Sequence, residues 1–299
     1  MVTAPLPDYD ILAAACAQAN LNYTDAQLIR AHSNSVYLLP GERAVVRIGR
    51  QDHGLRARAS LTLTRWLSER GVPVTEPMLD HAIDVDACTI TVWRYYPQDT
   101  RPAPPMRALG AILAQLHALP RPPIELPAYP PLARFTAVLA EPAVQRVLKD
   151  DDLEFLQQQA RSVLDRYQHL DSRLGVGFIH GDSYTGNCVW DGDLVRLGDW
   201  DEACIGPREL DLVTACHDSR FGVSDDELAE FLRAYGTVAV PEFRSGAAAS
   251  TLFAMRDLHT LAGYIRRAAR GDTPAARELE HRLRTLRHPE TPAEPWHAL

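Results

Sequence analysis

Three oxygen-bearing side chains fall within one stretch, Val176–Trp200, with the sequence VGFIHGDSYTGNCVWDGDLVRLGDW: Asp182, Asn187 and Asp199. Two carboxylates and an amide are hard-oxygen ligands. They suit a cation such as Mg²⁺, which keeps several of its waters and shares phosphate oxygens. A carboxylate not needed for metal can accept the proton of an attacking hydroxyl. A metallo-hydrolase would need further histidine or carboxylate ligands at matching spacing. The chain has no H-E-x-x-H and no second histidine cluster.

The elements around these residues must bring them together. Val176–Ile179 reads as a short apolar strand, followed by a polar loop that carries His180, Gly181 and Asp182. The apolar runs Cys188–Trp190 and Leu194–Leu197 flank Asp191-Gly192-Asp193, and an Asp-Gly turn between such runs signals a β-hairpin. A hairpin returns its ends to one place, so Asp199 is expected beside Asn187 and the loop of Asp182.

The motif HGDSYTGN followed by GDWD resembles the signature of the aminoglycoside phosphotransferase family, which includes choline-kinase-like and homoserine-kinase-like small-molecule kinases. The resemblance implies an α+β, two-lobed, protein-kinase-like fold, with a small β-rich N-lobe (1–96, nucleotide-binding) and a larger, mainly helical C-lobe (97–299, catalytic and acceptor-binding). It also implies ATP and Mg²⁺ as cofactors and a division of labour like that of protein kinases. Asp182 would be the catalytic base, and Asn187 and Asp199 the metal ligands. His180 would brace the loop, Asp211 in GPRELDL would support it from behind, and Asp201 would lie near metal or substrate.

The N-terminal part then takes on meaning. Val36–Leu39 and Ala44–Ile48, joined by Pro40-Gly41-Glu42, read as a hairpin. The family lays the loop before it over the nucleotide's phosphates, which makes Ser33, Asn34 and Ser35 candidate phosphate contacts. Arg47 in AVVRIG occupies the position of the family's phosphate-binding cation. No lysine precedes Lys149 to compete for that role. An arginine there would hold phosphate through a planar fork and stay charged at every working pH. Trp93 and Tyr95, near the end of the apolar run CTITVWRYY, would border the adenine at the interlobe hinge. One feature departs from the pattern. The helix expected over 52–70 should carry a glutamate that pairs with this cation, but Ser60 or a near neighbour stands in its place. Another carboxylate must then supply the pairing, or Arg47 lacks it.

Composition narrows the function classes. A net charge of −8 without any basic tract argues against a nucleic-acid partner. No apolar run approaches the length of a membrane span. Five scattered cysteines without a C-x-x-C pair fit a reduced, cytoplasmic protein. Short helices are expected over 8–20 and 24–30, with further helices over 106–119, 132–140, 151–170, 207–216, 225–235, 245–270 and 274–287. Ser224 and Glu227 form a capping box for the 225–235 helix. Asp218, Asp225, Asp226, Glu227, Glu230 and Asp257 could line a site for a cationic acceptor.

The expected function is therefore ATP- and Mg²⁺-dependent transfer of the γ-phosphoryl group to a hydroxyl of a small molecule, with an aminoglycoside or another amine-bearing compound as one acceptor class. An antibiotic-modifying role is one version of this activity and a metabolic hydroxyl kinase another. The alternative is a catalytically weak pseudokinase that serves as a nucleotide- or partner-binding module. A protein kinase is disfavoured, because D-F-G, A-P-E and an activation segment between Asp199 and Asp211 are missing.

Overall fold

The computed structural model describes residues 8–31, 34–50, 54–98, 101–236, 240–291 and 294–298. The chain divides into two compact units. The first comprises Met1–Pro104, Ala118–Leu126 and Thr185–Ala203; the second comprises Pro105–His117, Pro127–Tyr184 and Cys204–Leu299.

The first unit is built on α1 (Tyr9–Ala19), β1 (Gln27–Ala31), β2 (Ser35–Leu39), β3 (Ala44–Arg50), α2 (Gly54–Ser68), β4 (Ile83–Val85) and β5 (Cys88–Arg94). The strands form one antiparallel sheet in the order β1-β2-β3-β5-β4. Alternation decides which face is buried. Tyr37, Leu39, Ala44, Val46 and Ile48 point to one side, where they form a core with Leu12, Ala15 and Cys16 of α1. Arg47 therefore projects from the opposite face. Residues 24–30 do not form the expected helix: 27–31 is the edge strand β1, paired with β2 through a bulge between Leu28 and Arg30. Seven residues are too few for a helix to persist by propensity alone, whereas the open edge of β2 satisfies this segment's backbone groups.

The second unit contains α3 (Met106–Ala118), α4 (Ala133–Leu139), α5 (Pro142–Gln145), α6 (Asp150–Gln168) and β6 (Val176–Ile179). Two strands of the first unit intervene, β7 (Cys188–Asp191) and β8 (Leu194–Leu197). The second unit then resumes with β9 (Cys204–Pro207), α7 (Glu209–Cys216), α8 (Asp225–Tyr235), α9 (Val240–Ser245), α10 (Ala247–Ala268) and α11 (Thr273–Arg287). Helix α10 is its axis. Leu252, Met255, Leu258, Leu261 and Ile265 are buried on it, and α4, α6, α7 and α11 pack around it. The capping box of Ser224 and Glu227 forms as the sequence implies. The strand β9 begins before the expected 207–216 helix and pairs antiparallel with β6.

Gly110 marks where α3 meets α8. A β-carbon there would lie 2.3 Å from the Phe231 carbonyl oxygen, a backbone atom that cannot swing aside. Gly110→Ala is expected to cost about 1–3 kcal/mol, the range for overpacking a tight interior. A urea midpoint equal to that of the wild type would contradict it.

All five cysteines are buried. Burial pushes the Cys16 thiol up to about 11, with Glu42 adding to the effect, and the Cys216 thiol up to about 12. No helix among the described residues is long and apolar enough to cross a membrane.

Candidate active site

The predicted hairpin forms as β7 and β8, with Cys188 opposite Leu197 and Asp191 opposite Leu194. Its two-residue loop opens with Gly192 at φ +59, the left-handed geometry that glycine adopts without strain. Both strands are anchored within the first unit. The Gln98 side chain bonds Trp190 on both its N–H and its C=O. Arg196 reaches Asp191 at 2.7 Å and Glu76 at 3.0 Å, and Leu197 exchanges backbone hydrogen bonds with Pro73 and Thr75.

At the base of this braced hairpin, the Gly198 N–H donates to the Asn187 carbonyl at 2.8 Å, so Asn187 and Asp199 leave the two strands side by side. Asp199 holds a left-handed backbone, φ 58 and ψ 64, unusual for a residue other than glycine. Such strain persists where surrounding structure imposes it. Here the hairpin lies on one side and a 3₁₀ turn, Trp200–Glu202, on the other.

Arg47 meets this hairpin end. Its Nη1 lies 3.1 Å from Asp199 Oδ1 and its Nη2 lies 2.5 Å from Asp201 Oδ2. The guanidinium thus bridges two carboxylates about 150 residues away. Burial pushes the Asp201 carboxyl up, Arg47 pulls it back, and Asp199 adds repulsion.

The other nucleotide candidates divide. Ser33 lies outside the described residues. Ser35 is buried, and its hydroxyl donates to Asp8 at 2.6 Å, so it is committed away from any phosphate. Asn34 lies against Gly49 of β3, its Oδ1 only 3.0 Å from where a β-carbon would stand. The Trp93 indole donates to Thr91, and Trp93 pairs with Val45 across the sheet. The Tyr95 N–H donates to Arg43 and the Arg94 N–H to Glu76, so these two backbone donors of the expected hinge are engaged within the unit.

In the second unit, the loop after β6 is held from below by one buried carboxylate. Asp211 is fully buried. Its Oδ2 accepts from His180 N at 2.8 Å and its Oδ1 from Gly181 N at 2.9 Å. His117 Nε2 lies 3.0 Å from Oδ2, and Ser183 donates its hydroxyl to the Asp211 carbonyl. Burial alone would raise this carboxyl, but the His117 hydrogen bond and charge, with the His180 contacts, hold it below the usual carboxylate range. His180 is itself buried, and its Nδ1 accepts from Asp182 N at 3.2 Å. That hydrogen bond requires the tautomer with the proton on Nε2.

The Asp182 side chain remains one-third exposed, and its Oδ1 receives Arg256 Nη2 at 2.7 Å. Arg256 Nε is buried with no hydrogen-bond partner among the described residues. Sequence reasoning missed both Arg256 and His117 as partners in this loop. The partners of His117, Asp211 and Tyr235, lie far along the chain from it. His259, one turn beyond Arg256 on α10, is half-buried. Burial, then the charges of Arg256, Arg134 and His217, push it down to about 4, with Asp182 pulling the other way. The native state therefore keeps it neutral while the unfolded chain protonates near 6.5. Its contribution to stability is full above that value and declines as pH falls toward about 4. His259→Gln is expected to flatten the fall of the urea midpoint between pH 7 and 5; an unchanged slope would contradict this.

The acidic residues considered for a cationic acceptor are largely engaged elsewhere. Asp257 is paired with His217 at 3.0 Å and Arg220 at 2.9 Å, Asp225 with Arg244 at 3.0 Å, and Glu230 with Arg107 at 3.6 Å. Glu227 closes its helix cap. Among the described residues, no group of three histidine, cysteine or acidic side chains could hold a metal alone. Asn187 and Asp199 fit a different donor set, in which two protein oxygens are completed by water and phosphate, as is usual for Mg²⁺.

An antiparallel N-terminal sheet, a mainly helical remainder and a histidine-glycine-aspartate loop set on a buried aspartate define a kinase-like fold of the α+β class. The chain belongs to the phosphotransferase enzyme family, APH, whose model matches residues 25–249, and is a small-molecule kinase. No curated protein matches it in sequence. Among solved structures it is similar to amicoumacin kinase hAmiN in complex with AMP-PNP, Ca²⁺ and Ami. That match has a TM-score of 0.70 at 13% identity and covers 98% of this chain and 96% of that one. A choline/ethanolamine kinase family protein from Mesorhizobium loti gives 0.67 at 21% identity, with 96% of each chain covered. The GDP complex of aminoglycoside 2'-phosphotransferase-IIIa gives 0.66 at 15% identity, covering 96% of this chain and 100% of that one.

Proposed function

We propose that this kinase transfers the γ-phosphoryl group of ATP to a hydroxyl of a small molecule, with 1–96 as the nucleotide-binding lobe and 97–299 as the catalytic and acceptor-binding lobe. The observation that carries the reading is the junction of Arg47 with Asp199. A candidate phosphate-binding cation and a candidate metal carboxylate, far apart in sequence, meet in one place. Asp182 orients the acceptor hydroxyl and takes its proton. Asp211 and His180 hold the Asp182 backbone, and Arg256 fixes its carboxylate. Arg47 and Asn34 face the phosphates, and Trp93 and Tyr95 border the base. Asn187 and Asp199 would hold Mg²⁺, which when bound supplies positive charge to the phosphate oxygens. The buried thiols suit a reducing, cytoplasmic setting.

For the acceptor, the similar kinases are named for amicoumacin, choline or ethanolamine, and aminoglycosides, which supports an amine-bearing compound. The ion pairs and the cap that occupy Asp225, Glu227, Glu230 and Asp257 weigh against a polycation held by those four residues. The family match, and neighbours that are themselves phosphotransferases, give no support to the pseudokinase alternative. The test is ADP release from Mg-ATP across a panel of hydroxylated compounds that includes aminoglycosides. Acceptor-stimulated release is expected; nucleotide binding with no turnover across the panel would overturn the reading.

A further inference from the structure

The helix α2 raises a problem for Arg47. In the arrangement that the fold implies, a glutamate on this helix would hold the phosphate-binding cation, yet Gly54–Ser68 contains no acidic residue and three arginines. The structure shows what stands there instead. Ser60 is buried on α2, and its hydroxyl lies 3.4 Å from Asp201 Oδ1. The other oxygen of the same carboxylate is on Arg47. The turn that carries Asp201 is also tied to α2 by Arg56 and Glu202 at 3.0 Å. That second pair is exposed on both sides and contributes little.

We infer that Asp201 is the positioning residue that holds Arg47 for the nucleotide's phosphates, with Ser60 occupying the helix position from which a glutamate would otherwise reach. This rests on the phosphotransferase reading above. Asp199 is the weaker candidate for this work, because the metal-ligand role proposed for it draws on the same carboxylate. Asp201 is less exposed than Asp199, with 22% of its side chain accessible against 39%. It reaches the guanidinium through a different nitrogen, so it can stay with Arg47 when Asp199 turns to other partners. The pairing carboxylate stands on the turn after the hairpin and not on the helix, which carries a small hydroxyl beside it.

The test is AMP-PNP binding with Mg²⁺, measured by calorimetry on the full chain. Asp201→Ser is expected to weaken binding roughly tenfold, the loss of one charge-assisted contact. Returning a carboxylate to the helix, in the double variant S60E/D201S, should restore affinity to within about threefold. In an R47M background, D201S should have no further effect. Circular dichroism identifies any variant that does not fold, and Asp201→Asn is the isosteric replacement for D201S in that case. Binding by D201S equal to that of the wild type would overturn the inference. So would equal weakening with and without Arg47, or failure of the folded double variant to recover. A wild type that binds no nucleotide would bring down the phosphotransferase reading as well, whereas the other three results would leave that reading standing.

Discussion

Asp182→Asn is expected to lower kcat by a factor of roughly 10²–10⁴ while leaving the thermal midpoint and nucleotide affinity close to those of the wild type. Each decade corresponds to about 1.36 kcal/mol of barrier, so the charge on one side chain is asked to supply about 3–5 kcal/mol. Asparagine keeps the size of aspartate and an oxygen for the Arg256 guanidinium, 2.7 Å away in the wild type. What it loses is the anion that receives a proton. The ion pair is partly exposed, and such pairs contribute little to folding. An activity loss accompanied by a large fall in the midpoint would point to a structural lesion instead. A variant that retained more than about a tenth of its turnover would remove Asp182 from the role of base.

The second large effect is at Asp211. Its carboxylate is fully buried and accepts two backbone N–H groups while pairing with His117. Asp211→Ala leaves those donors facing an empty space, and each buried polar group left without a partner costs about 1–3 kcal/mol. Turnover should fall as well, because the His180–Gly181 backbone is what sets the Asp182 main chain. The pH dependence has a definite sign. The native carboxyl titrates below the usual range, so its stabilising effect is complete above the unfolded-state pKa and is lost as acid carries the solution down through the native value. The wild type should therefore lose stability over that acid range, and the alanine variant should lose less. Equal acid sensitivity in the two proteins, or an alanine variant as stable as the wild type at neutral pH, would show that the buried charge does not hold the loop.

The parts of this site that could be read from sequence were those with a local signal. The Asp-Gly turn located the hairpin, and the apolar runs 188–190 and 194–197 that flank it lie in its two paired strands, the first of which extends to Asp191. The capping box at Ser224 was equally visible. Arg47 could be singled out because it falls, within an apolar strand, where the resembled family places its phosphate-binding cation. Its partners could not, since Asp201 lies in another part of the chain and nothing in the spacing points to it. The same holds for Arg256 opposite Asp182 and for His117 beneath Asp211, which join residues 74 and 94 positions apart. Residues 24–30 read as a helix from sequence, whereas 27–31 is a strand, because its pairing is decided by the neighbouring edge and not by its own pattern. Periodicity reports which face of an element is buried. It is silent on which charged groups meet across elements.

The distribution of the cysteines has a practical consequence. Cys16, Cys88 and Cys188 lie in one unit, and Cys204 and Cys216 in the other, all of them shielded. A thiol reagent can reach them only through transient exposure, so modification rates under native conditions measure how often each part of the protein opens. Peptide-level mass spectrometry of a slow alkylation time course would read the two units separately, with no label introduced and no residue replaced.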